Sequence, residues 1–135
     1  MTNIQPSRNI CKPLTNANPI SSNVFCADPT GVEYEGRLYV YGTNDHQQYT
    51  TVGKSGKNTY EHIKSLVCFS TEDMVNWTYH GEINVKGIAP WIYASWAPSI
   101  VSRVEDDGLT HFYLYFSNSG AGVGVLTSTS PLGPW

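Results

Sequence analysis

The chain has 135 residues, 40% of them hydrophobic and 14% charged, with a formal net charge of −3. That length suits one ordinary domain, and the acidic balance excludes the footprint of a nucleic-acid binder or of a protein drawn to an anionic membrane. No apolar run reaches transmembrane length, and the N-terminus lacks the basic-then-apolar order of a signal peptide.

Nine Tyr, four Trp and four Phe stand beside twelve Gly and eight Pro, a mixture of strand formers and turn formers rather than helix formers. The three cysteines are an odd number without metal-ligand spacing. Cys26 and Cys68 fall in apparent strands and read as small buried apolar residues. No disulfide framework is expected, which favours a reducing compartment; the sequence otherwise leaves location open.

In chain order, residues 1–23 are polar and carry Pro6, Pro13 and Pro19, and read as an extended lead-in closing onto the fold. Asp28 precedes Pro29, so an extended backbone is expected at the aspartate. Strands follow over 30–34 and 37–43, joined by a two-residue Glu35-Gly36 turn. Residues 44–64 are long, polar and without period, the kind of loop that is functional or disordered. The apolar run 65–70 suits a buried strand, 71–76 a turn and 77–81 a fourth strand. The pattern then repeats, with strands over 98–104, 111–117 and 122–128, a turn at 105–108 and another at 131–134.

The repeat can be followed residue by residue. Ser70-Thr71 leads to Trp77 as Ser128-Thr129 leads to Trp135, and the two tryptophans stand 58 positions apart. Leu38-Tyr39-Val40-Tyr41 corresponds to Phe112-Tyr113-Leu114-Tyr115, and Asp28-Pro29-Thr30 to Ala97-Pro98-Ser99. Four strands at such a period are the signature of propeller blades, of which a closed ring needs about four to eight. The expected fold is therefore all-β, a lead-in over 1–23 followed by two four-stranded blades over 24–135, the second incomplete. The chain reads as the front part of a longer protein, inert alone and prone to associate through unpaired strand edges.

Ordered along the chain are Ala27-Asp28-Pro29, Tyr39-Val40-Tyr41, the run from Ser70 to Trp77, Ser95-Trp96-Ala97-Pro98, Tyr113 to Ser117 and Ser128 to Trp135. In that order and spacing the chain resembles glycoside hydrolase family 43, five-bladed β-propellers acting on arabinose- and xylose-containing polysaccharides. The resemblance implies inverting hydrolysis, in which a carboxylate activates water and a carboxylic acid across the sugar protonates the leaving oxygen. It assigns the base to Asp28 and places the acid and a pKa-tuning aspartate in later blades. It also makes Trp96 a subsite wall and Ser99 a candidate substrate contact, one that departs from the pattern, since many members carry an acidic residue or His there. The implied partner is a pentose-containing oligo- or polysaccharide. This segment is expected to require no cofactor and to supply no metal ligands, although the parent propeller of the family can hold a structural Ca²⁺.

The residues themselves keep other readings open. Asp28 could merely cap an Asx-type turn, and Trp96 could be blade packing. Of the eleven acidic residues, Asp28 and Asp45 are the ones expected to face a central cavity. Asn44, Asp45 and Asn118 end strands and either bind sugar hydroxyls or form turns. Trp91, Ile92 and Tyr93 are candidates for a pocket rim, and Trp77 and Trp135 for structural positions. The alternative function is a carbohydrate-binding or inactive propeller fragment. A fructoside-acting propeller is disfavoured because its Trp-x-Asn-Asp-Pro opening is missing. Gly120-Ala121-Gly122-Val123-Gly124 lies between strands and reads as a hairpin, not a phosphate loop. Asn76-Trp77-Thr78 is a glycosylation sequon in pattern only, and the four His show no ligand spacing.

Overall fold

Alternating aromatic and β-branched residues on either side of Glu35-Gly36 build the first hairpin of the protein. In a computed structural model, which describes residues 9–11 and 19–135, strand β2 spans Ala27–Tyr34 and β3 Arg37–Thr43. Glu35 and Gly36 both take positive φ, 52° and 76°, as a tight turn matched to the twist of the flanking strands requires. The Glu33 carboxylate accepts the Gly36 N–H at 2.8 Å and secures the turn.

Strands β4 (Leu66–Thr71) and β5 (Asn76–Ile83) continue the antiparallel meander outward. A short strand β1 (Asn9–Cys11) pairs with β5 on the outer edge, giving the order β1-β5-β4-β3-β2. Blade one is thus five-stranded rather than four-stranded, because part of the lead-in joins the sheet. Residues 1–8 and 12–18 of that lead-in lie outside the described residues. A second sheet holds β6 (Trp96–Val104), β7 (Thr110–Ser117) and β8 (Val123–Ser128) in the order β6-β7-β8.

Two short helices lie between the strands: α1 (His46–Val52), inside the 44–64 segment read as a loop, and α2 (Val85–Ile88) after β5. Neither has the length over which helical periodicity becomes visible in sequence.

The turn from Thr71 to Trp77 is held by side chains. Asp73 Oδ1 accepts the N–H groups of Val75 and Asn76 at 2.9 and 2.7 Å, and Thr71 Oγ1 accepts those of Asp73 and Met74 at 3.2 and 2.9 Å. These bonds hold the Asp73 carboxyl at a pKa of about 2. The corresponding turn before Trp135 uses hydroxyls, with Ser128 accepting from Ser130 N–H and Ser130 from Leu132 N–H.

The core lies between the blades. Tyr41, Leu66 and Cys68 of the first sheet pack with Ile100, Phe112, Leu114, Phe116 and Leu126 of the second, joined by Val85, Ala89 and Ile92. Trp135 closes this layer, its ring edge-on to Tyr41 at 6.1 Å. The opposite face of blade one buries Val67, Phe69 and Trp77 beneath Ile20, Val24 and Cys26. Cys26 and Cys68 are free thiols with pKa raised by burial, to about 11 and about 12, in keeping with their reading as apolar packing. On the face of blade two turned from blade one, Val101, Tyr115, Val123 and Val125 are exposed.

Candidate active site

The innermost strands β2 and β6 lie against one another, and both begin with the same irregularity. Between Ala27↔Thr43 and Thr30↔Tyr41, residues 28 and 29 face Gly42 alone; between Trp96↔Ser117 and Ser99↔Tyr115, residues 97 and 98 face Phe116 alone. Each is a β-bulge, with two residues opposing one. Asp28 has φ 49° and Ala97 φ 43°, a left-handed conformation that non-glycine residues rarely take. The extended backbone expected at Asp28 is therefore corrected: pairing on both sides of the bulge overrides the local preference of a residue before proline.

The chain entering the first bulge packs directly onto Gly42. A Cβ there would stand 2.3 Å from Cys26 Sγ and 3.0 Å from the Ala27 carbonyl oxygen. Hydrogen bonds then lock the two bulges together. Thr43 Oγ1 accepts the Ala97 N–H at 2.8 Å and Thr30 Oγ1 the Ile100 N–H at 3.3 Å. Asp28 is left exposed at the inner end of β2, open to water.

Asp45 stands beside it. It follows β3, the strand paired with β2, and opens α1 without using its carboxylate as a helix cap. The half-buried carboxyl has its pKa raised, first by burial and then by the charge of Asp28. The structure thus brings Asp45, just beyond the end of β3, near enough to Asp28 for the two charges to interact.

The arm over residues 44–64 is held by two glutamines of α1. Gln47 Oε1 accepts the N–H groups of Lys64 and Ser65 at 2.7 and 2.9 Å, and the buried Gln48 accepts that of His62 at 3.1 Å. The arm therefore presents fixed side chains rather than a loose loop.

Trp96 is half-buried at the start of β6, its indole N–H donating to the Tyr60 carbonyl at 3.0 Å and its ring meeting Tyr60 edge-on at 6.2 Å. Tyr60, 49% exposed, was not singled out in the sequence; its signal was an aromatic residue in a long polar stretch. Trp91 and Tyr93 are 60% and 66% exposed in the segment leading to Trp96, while Ile92 is buried in the core.

Three expected sugar contacts are placed elsewhere. Asn44 is buried and donates to Ser65 Oγ at 2.9 Å. Asn118, also buried, accepts the N–H groups of Tyr93 and Ala94 at 2.6 and 3.1 Å. Both amides are committed to positioning the loops that carry aromatic residues. Ser99 is exposed, but neighbours the inward-packed Ile100, and so lies on the face of blade two turned from blade one. Among the described residues no three His, Cys, Asp or Glu side chains cluster around a common ion position.

Two antiparallel sheets entered by matching bulges, one of them presenting a carboxylate at the end of its inner strand, are successive blades of a β-propeller. Residues 16–135 match glycosyl hydrolases family 43, and the chain belongs to that family. It is 42% identical to an arabinoxylan arabinofuranohydrolase of Bacillus subtilis over 96% of this chain and 27% of the relative. A crystal structure of that Bacillus subtilis family 43 enzyme in complex with cellotetraose superposes with a TM-score of 0.79 and 40% identity, over 94% of this chain and 28% of the other. An α-L-arabinofuranosidase structure from Clostridium thermocellum gives a TM-score of 0.61 and 45% identity, over 84% and 34%. The chain thus spans about a quarter to a third of the length of these relatives.

Proposed function

We propose that this chain supplies the base side of an inverting glycoside hydrolase acting on arabinose- and xylose-containing polysaccharides, with α-L-arabinofuranosyl or β-D-xylosyl linkages as its targets. The observation that carries the reading is the bulge that exposes Asp28 beside the partly buried Asp45. Asp28 accepts a proton from the water that attacks the anomeric carbon. The acid that completes the reaction belongs across the sugar, which family resemblance assigns to later blades. Trp96, braced by Tyr60, offers an apolar ring to the sugar's C–H face. The cellotetraose bound by the Bacillus subtilis relative supports an oligosaccharide as partner.

The test is hydrolysis of aryl α-L-arabinofuranoside and aryl β-D-xyloside by the whole protein carrying these residues, beside Asp28→Asn and Asp28→Ala. Loss of a general base costs about 10²–10⁴ in rate, and both variants should show a loss in this range. The anomer first released, read by proton NMR, should be inverted. Variant rates within tenfold of the parent would overturn the assignment of Asp28. Oligosaccharide binding by a parent without hydrolysis would favour the binding-module reading.

A further inference from the structure

A cavity of about 330 Å³ opens between the residues preceding β2 and the arm that carries α1. Its lining includes Phe25, Asp45, Tyr49, Lys54 and Asn58. Phe25 and His46 stack at 5.8 Å with 27° between their planes, and Tyr49 lies 6.4 Å from Phe25 and 6.0 Å from His46. Yet Phe25 is 50% and Tyr49 41% exposed. The rings have packed on one another at the surface instead of entering either core layer.

Sugar rings ask for this combination. A pyranose or furanose has an apolar C–H face that lies on an aromatic ring and an edge of hydroxyls that needs donors and acceptors. The ring cluster supplies the first. Asp45, Lys54 and Asn58 supply the second, with a carboxylate, an ammonium and an amide in one wall. The wall is preformed, since Gln47 and Gln48 hold α1 to the returning chain. It is also tight, because a Cβ on Gly56 would stand 2.2 Å from the Val52 carbonyl oxygen. Asp45 lines this cavity and its carboxylate feels the charge of Asp28, so the two sites are neighbours.

We propose that the cavity beside α1 is a second sugar subsite, taking a neutral sugar unit of the same substrate next to the one cleaved at Asp28. Phe25 and Tyr49, braced by the His46 ring stacked on Phe25, form its platform, and Asp45, Lys54 and Asn58 meet its hydroxyls. The word "cleaved" rests on the hydrolase reading above; the binding of sugar does not.

The experiment uses the whole protein and two readouts. Calorimetric titration of xylotetraose into Asp28→Asn protein is compared with the same protein carrying Tyr49→Ala, Phe25→Ala or Tyr49→Phe. Each alanine variant should weaken binding about tenfold, while Tyr49→Phe, which keeps the ring, should bind within about twofold. With Asp28 intact, the ratio of kcat/KM for an arabinosyl-xylooligosaccharide to that for the aryl arabinofuranoside should fall about tenfold in Tyr49→Ala. Unchanged xylotetraose affinity in both alanine variants overturns the subsite, as does failure of the Asp28→Asn protein to bind xylotetraose. A parent that hydrolyses neither aryl substrate sinks the hydrolase reading instead, and the titration still decides the subsite.

Discussion

Blade one and blade two enter the propeller with the same backbone and different chemistry. Asp28-Pro29 and Ala97-Pro98 form equivalent bulges with φ 49° and 43° at the first residue. Strain at a residue of functional interest invites the inference that it was built for catalysis. Its recurrence at Ala97, where no carboxylate stands, argues otherwise: the bulge belongs to the way an inner strand begins. Function was added to it by one side chain and by what surrounds it. Blade one carries the long arm with α1 and Asp45, whereas β7 and β8 of blade two are joined by a tight turn in which Asn118 N–H donates to the Gly122 carbonyl. The packing opposite the bulges is also inverted in size, Gly42 in blade one and Phe116 in blade two.

The largest expected effect comes from making the bulges alike. Asp28→Ala gives blade one the residue that blade two already tolerates, so the whole protein should lose about 10²–10⁴ in rate with its thermal midpoint almost unchanged. A large drop in midpoint would mean that the carboxylate, not the backbone, holds the bulge. Next is Phe116→Ala, which removes a fully buried ring from the layer between the blades. About 3–5 kcal/mol of stability should be lost in denaturant unfolding, and a loss under 1 kcal/mol would show that the layer collapses around the gap. Gly42→Ala should cost about 1–3 kcal/mol, because its Cβ would meet Cys26 and the Ala27 backbone. It should also slow hydrolysis in the whole protein by shifting Asp28, and full activity would separate the bulge from the base.

The smallest effect separates the two outer turns. Asp73, fully exposed, has a folded pKa of about 2, below its usual 3.8, because backbone and side-chain donors prefer the carboxylate. A depressed pKa stabilises above the unfolded value, and that stability is lost as pH falls from about 4 through 2. The hydroxyl-held turn of blade two has no such dependence. Asp73→Asn should therefore flatten the acid limb of unfolding midpoint against pH; an unchanged limb would assign the acid sensitivity to other carboxylates.

What was legible in the residues was local. Period-two alternation, the Glu35-Gly36 turn and the paired tryptophans located seven of the eight strands found among the described residues, and the blade repeat, because pleat and turn geometry are set by neighbours a few positions apart. The family motifs singled out Asp28 and Trp96 for the same reason, as short runs of fixed spacing. The rest depended on partners distant in sequence. Pairing across the bulge reversed the conformation expected before Pro29, and hydrogen-bond partners 21 and 25 positions away committed Asn44 and Asn118 to the interior. The arm folded back to bring Phe25 against Tyr49 and Asp45 beside Asp28. Sequence by itself determined the strands, their repeat and the aspartate at the inner edge. Only the tertiary structure decided which polar side chains remain free to meet a sugar, because hydrogen bonds and burial are settled by the contacts a residue makes, not by its neighbours along the chain.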